Sequence, residues 1–229
     1  MVEAINDESI RISIIKDMLD SESTWGNPML GSSWEQIRIM AMNSPKNRQY
    51  EGMNIEQISR KLNQKPHEVA LNLLAEEGGV IKIIFSAMIE TDLIEVMKQS
   101  MAIYCTDGLA VSPDGEYKDI PLHPRYYGTY PRILGKYIRE KQIIPLEDAI
   151  HKMTLFPSIK MNINDRGLLA EGYKADITIF DKHKIIDKAT FDNPHQYSEG
   201  IIAVIVNGTI VVLDNVHTGA LPGEIIKRK

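Results

Sequence analysis

An aspartate at position 107 stands just past an apolar run, Met101-Ala102-Ile103-Tyr104-Cys105, inside the tripeptide Thr106-Asp107-Gly108. A carboxylate beyond the carboxyl end of a parallel strand lies where open sheets and barrels gather their active sites. There it can take a proton from water and hand it to a leaving group. The competing reading is a plain turn, since Asp-Gly is common wherever a strand ends. Further on, His123-Pro124-Arg125-Tyr126-Tyr127-Gly128-Thr129-Tyr130-Pro131-Arg132 gathers prolines, two arginines and three tyrosines in one stretch. A loop of this kind has no core-facing stripe, so its aromatic and guanidinium groups are free to line a pocket and grip an anion through paired N–H donors. A solvated loop with tyrosines packed over a sheet is the alternative.

Metal chemistry needs more than these residues offer. The six histidines are His67, His123, His151, His183, His195 and His217, and no two have His-x-His spacing. His123 near Asp107 could touch a metal, but a catalytic zinc normally has three protein ligands. Cys105 is the single cysteine and reads as a small buried hydrophobe, not a ligand. No metal ligand is therefore assigned within this chain.

The elements that must position these side chains follow from period and punctuation. Asp7 caps a predicted helix over 7–20, residues 21–33 form a loop, and 37–41 alternate like a strand. Asn54 caps a helix over 55–62, and Lys65-Pro66 opens another through 74, closed by Gly78-Gly79. Residues 80–85 and 101–105 read as strands flanking a helix at 90–98, an order that fits a parallel pair. Helices are predicted over 131–139 and 145–154, each with a proline in its first turn. From 167 onward the period becomes two, with strands at 176–180, 201–206 and 210–213 and a hairpin turn at Asn207-Gly208.

The chain has 229 residues, 43% hydrophobic and 25% charged, a globular composition able to bury a sizeable core. Its net charge of −5 gives no basic field for nucleic acid. No apolar run approaches the roughly 20 residues of a membrane span. One cysteine and no visible secretory signal point to the cytoplasm.

Taken in order, T-D-G-L, H-P-R-Y-Y-G-T-Y-P-R-I-L-G-K-Y-I-R-E, L-E-D-A-I-H-K-M-T, D-R-G-L-L-A-E-G-Y-K-A-D-I-T-I-F-D, A-T-F-D-N-P-H-Q-Y-S-E-G-I-I-A-V-I-V-N-G and T-G-A-L-P-G resemble the C-terminal half of an N-acyl-D-amino-acid deacylase of the amidohydrolase superfamily. The resemblance covers about residues 50–229, with 1–49 corresponding loosely to a variable insertion. It implies an α/β fold: an incomplete C-terminal part of a (β/α)₈ barrel over 1–166, followed by a small antiparallel β-sandwich unit over 167–229. It also implies Asp107 as the acid/base and Arg125 as the binder of the substrate's α-carboxylate; His123 and Tyr126, from the same stretch, are further substrate-binding candidates. Zinc is expected for the complete enzyme, on ligands upstream of this segment, and none is expected to bind tightly to this chain alone. The implied partners are an N-acyl-amino-acid substrate and either further copies of the chain or an N-terminal half, with no nucleic acid and no membrane. Alone, the chain is expected to be inactive.

Two other functions compete. The helices at 55–62 and 66–77 resemble a helix-turn-helix, but the second carries His67, Glu68, Glu76 and Glu77 and no Lys or Arg beyond its start, which would repel phosphate. A non-catalytic interaction subunit is the other reading.

Overall fold

The computed structural model describes residues 1–20, 22, 27, 32–120 and 122–226. Most of the loop predicted at 21–33 lies outside them. The chain divides into two compact units, Met1–Ile89 and Glu90–Lys229. The boundary anticipated at 166/167 falls inside the second unit, at the approach to its sheet.

The first unit begins with a short helix, α1 (Val2–Asn6), that the sequence pattern did not reveal. The predicted helix follows as α2 (Glu8–Leu19), with Asp7 accepting from the Ile10 N–H. Strand β1 (Ile37–Ala41) places Ile39 at 1% exposure in a core with Met42, Ile55, Ile58 and Val69. Helix α3 (Ile55–Leu62) starts in a capping box, Asn54 accepting from the Gln57 N–H while the Gln57 side chain accepts from the Asn54 N–H. It ends on Asn63 in the left-handed region at φ 51°. Helix α4 (Pro66–Glu76) starts at Pro66 as predicted and contacts α3 across that turn. Its carboxylates serve as anchors: Glu68 pairs with Arg11, and Glu77 accepts from the amides of Asn43 and Ser44 and from Asn47 Nδ2. This is the helical pair that resembled a DNA reader, and the structure uses its acidic groups for packing.

Strand β2 (Lys82–Phe85) pairs with β1, antiparallel. The predicted parallel pair of 80–85 with 101–105 is thus not formed, and both sheets among the described residues are antiparallel. Residues 101–105 keep the strand period, with Tyr104 buried and Met101 and Cys105 exposed, but among the described residues they pair with no strand. Alternation selects a face, whereas a ladder needs a neighbouring strand.

The second unit opens with α5 (Glu90–Lys98). Helix α6 (Arg125–Arg132) runs on into a π-helical segment, Ile133–Glu140. The predicted start at Pro131 is corrected: the helix begins six residues earlier and carries Pro131 inside it. Proline has no N–H for the carbonyl four residues back, which is Tyr127. That carbonyl accepts instead from Ser198 Oγ at 3.2 Å, so the break in the ladder is repaired from outside the helix. Helices α7 (Leu146–Met153) and α8 (Leu155–Lys160) follow. Met97, Tyr104, Ile133, Tyr137, Ile138 and Ala149 form the unit's core. Buried Lys152 donates from Nζ to the carbonyls of Met97 and Gln99, closing the end of α5 and the approach to residues 101–105.

The tail forms one four-stranded antiparallel sheet in the order β3 (Ile177–Phe180), β4 (Ile201–Val206), β5 (Thr209–Leu213), β6 (Val216–His217). Asn207 and Gly208 turn the β4–β5 hairpin at φ 47° and 80°, the left-handed pair a two-residue hairpin requires. Gly128 and Gly135 bring the long helix onto the segment before β4. A Cβ on Gly128 would lie 2.8 Å from Asp187 Cβ, and one on Gly135 would lie 2.5 Å from the Ile185 carbonyl. Arg132 and Arg139 complete that face, reaching Asp187 at 2.8 Å and the Ile185 carbonyl at 2.5 Å.

Candidate active site

Asp107 adopts φ 46° at the end of the 101–105 segment. A non-glycine residue in the left-handed region is uncommon, and Asp tolerates it better than most. Its neighbour Gly108 donates its N–H to Thr106 Oγ1 at 3.1 Å and sits against Tyr126, where a Cβ would come within 2.9 Å of Cδ1. The absence of a side chain at 108 is what lets this turn lie on the Tyr126 ring.

That contact brings Asp107 to Arg125. Asp107 Oδ2 lies 2.9 Å from Arg125 Nη2, with the aspartate side chain 82% exposed and the arginine 40%. The Arg125 guanidinium also stands 6.0 Å from the centroid of the Tyr126 ring. Its Nε is buried and has no hydrogen-bond partner among the described residues. An unpaired buried N–H costs about 1–3 kcal/mol, so a donor left in this state is one an incoming acceptor would satisfy.

His123 contributes through its ring nitrogen. The Arg125 N–H donates to His123 Nδ1 at 3.0 Å, and the ring stands edge-on to Phe191 at 4.9 Å. Loss of water around part of the ring, and then the Arg125 charge, push the imidazole below its ordinary value. The four residues singled out from sequence, Asp107, His123, Arg125 and Tyr126, are therefore neighbours in space. The arrangement also has partners that single-sequence spacing could not show. Asp187, only 7% exposed, neutralises Arg132, and His195 reaches the Tyr127 hydroxyl at 3.1 Å and the Ile120 carbonyl at 2.9 Å.

Arg125 and His123 lie on the wall of a cavity of about 620 Å³ within the second unit. Leu93, Val96, Ile103 and Phe191 make much of its surface apolar, and the Arg132–Asp187 pair is internally neutral. Cys105 also borders it and is exposed, not buried as anticipated. Among the described residues no three of His, Cys, Asp and Glu come together as a metal site. The donor chemistry agrees with that: Asp107 faces a guanidinium and His123 Nδ1 is occupied by an amide. The arrangement can hold a carboxylate against Arg125 and keep a second carboxylate, Asp107, beside it as an acid or base.

Residues 109–212 match the model of the Amidohydrolase family, a span that includes Arg125 and stops two positions short of Asp107. An N-acyl-D-aspartate deacylase of Alcaligenes xylosoxydans xylosoxydans is 37% identical over 160 residues, 69% of this chain and 30% of that one. A D-aminoacylase of the same organism is 31% identical over 177 residues, 77% of this chain and 34% of that one. A solved D-aminoacylase structure superposes at a TM-score of 0.68 and 30% identity, covering 80% of this chain and 36% of that chain. An N-acyl-D-glutamate deacylase from Bordetella bronchiseptica, solved with zinc and a phosphonate mimic of the tetrahedral intermediate, gives 0.66 at 29% identity. The chain spans about a third of the length of the relatives it matches.

Proposed function

We propose, given that this chain belongs to the amidohydrolases of the D-aminoacylase type, that it supplies the substrate-handling part of an enzyme that hydrolyses the amide of N-acyl-D-amino acids. Arg125 holds the substrate's α-carboxylate, with His123 and Tyr126 around it. Asp107 takes a proton from the attacking water and returns it to the leaving amine. The observation that carries this reading is one contact: the Asp107 carboxylate sits 2.9 Å from a guanidinium whose Nε has no hydrogen-bond partner among the described residues. Proton carrier and anion clamp thus share one locus, and holding the carboxylate fixes where the scissile amide falls.

The residues present do not fit a metal centre on their own, so no step here is routed through zinc. In this reading its ligands come from other polypeptide, and the partner is an N-terminal half or further copies of the chain. Residues 1–166 then correspond to an incomplete barrel with its insertion and 167–229 to the small β unit. No helix among the described residues is long and apolar enough to cross a membrane, and a single cysteine suits the cytoplasm.

The test is complementation. The chain is coexpressed with the upstream part of a D-aminoacylase and amine release from N-acetyl-D-methionine is measured. Asp107→Asn should lower the rate by about 10²–10⁴, the usual worth of a general acid–base group. The chain alone should release no amine. Undiminished activity of the variant would remove Asp107 from the chemistry and favour a non-catalytic companion subunit.

A further inference from the structure

The first amide of α6 belongs to Arg125, and a helix leaves its first N–H groups without internal acceptors. The residue in the cap position is Pro124, which provides no side-chain hydrogen bond. His123 takes over both openings of the helix. Its Nδ1 accepts from the Arg125 N–H at 3.0 Å, and its carbonyl accepts from the Tyr126 N–H at 3.1 Å. A ring nitrogen that accepts carries no proton, so the proton of the neutral ring sits on Nε2. Edge-on packing against Phe191 at 83° holds the ring in that orientation.

The consequence falls on Arg125. Its guanidinium keeps a buried Nε without a partner among the described residues while Nη2 reaches Asp107. A flexible arginine would swing such a donor into water, so the base of this side chain has to be held. We infer that His123 is a positioning residue: its Nε2-protonated ring pins the backbone of Arg125 and keeps the guanidinium set for an incoming carboxylate. This rests on the reading of Arg125 as the carboxylate clamp. It differs from direct substrate contact in that the ring acts through Arg125.

The experiment uses the whole chain with ¹⁵N-labelled histidine and arginine. Long-range proton–nitrogen spectra should show His123 Nδ1 unprotonated and Nε2 protonated at neutral pH. N-acetyl-D-methionine is then titrated while the Arg125 Nε–H resonance is followed. His123→Asn, whose amide oxygen can stand near the place of Nδ1, should bind the probe within about threefold of the native chain. His123→Phe keeps the ring packing without an acceptor and should bind about tenfold more weakly, the worth of one hydrogen bond. A proton on Nδ1, or native-like binding by His123→Phe, overturns the inference. Should His123→Phe fail to fold, the native tautomer decides. If the probe leaves the native Arg125 signal unmoved, the clamp reading fails. Positioning is then judged separately, by the tautomer and by whether His123→Phe, but not His123→Asn, alters that signal.

Discussion

Ser198 Oγ donates to the Tyr127 carbonyl at 3.2 Å, the acceptor that Pro131, four positions along α6, has no N–H to reach. A helix that carries the candidate anion clamp on its first turn is thus held at its weak point by a residue just before β4.

This pairing predicts a coupled response. Ser198→Ala should cost about 1 kcal/mol in urea unfolding, the net value of an ordinary hydrogen bond. In a Pro131→Ala background the new amide can serve Tyr127, and the cost of Ser198→Ala should fall to about half. Equal costs in the two backgrounds would show that Ser198 does not compensate for the proline.

The glycine contact of the same helix sets a second expectation. Gly135→Ala would push a Cβ to 2.5 Å from the Ile185 carbonyl and 2.6 Å from Ile186 Cδ1. Because backbone must move, the loss should be about 1–3 kcal/mol. Gly223→Ala, with no described atom within 4 Å of the added Cβ, should stay within about 0.5 kcal/mol, both variants being measured by urea unfolding.

Acid should loosen the first unit through Glu77. Burial raises its carboxyl, but Asn47 and the Ser44 and Asn43 amides, with the Lys46 charge, more than offset this and hold it below its ordinary 4.5. A folded value lower than the unfolded one gives stability that is complete above the unfolded value and is lost as pH falls through the folded one. Melting temperature should therefore fall as pH drops below the ordinary 4.5, and Glu77→Gln should flatten that fall. An unchanged pH slope in the variant would assign the acid sensitivity elsewhere.

The proposed role of Arg125 as a carboxylate clamp predicts a division between binding and turnover. In the complemented enzyme, Arg125→Lys keeps the charge but loses the planar fork. KM for N-acetyl-D-methionine should rise about tenfold or more while kcat changes less, since holding the carboxylate is chiefly binding. A fall in kcat with KM unchanged would move Arg125 from binding to the chemical step.

The sequence by itself determined the features whose causes are local. Asn54 with Gln57 starts a helix, Pro66 opens the next, and Asn207-Gly208 turns a hairpin, because each depends on a few adjacent dihedrals and side-chain oxygens. The ordered motifs, among them the one around Arg125, likewise pointed to the family, and the sequence singled out Asp107, His123, Arg125 and Tyr126 as candidates. Only tertiary structure decided the rest. Residues 101–105 have a strand's alternation, but pairing depends on what lies beside them, and β2 took β1 as its neighbour. Pro131 read as a helix start, yet it stands inside α6 because Ser198, distant in the chain, accommodates it. The 2.9 Å approach of Asp107 to Arg125 joins segments 18 positions apart, where the 106–108 turn rests on Tyr126. Contacts between segments far apart in sequence are fixed by packing, which no local period encodes.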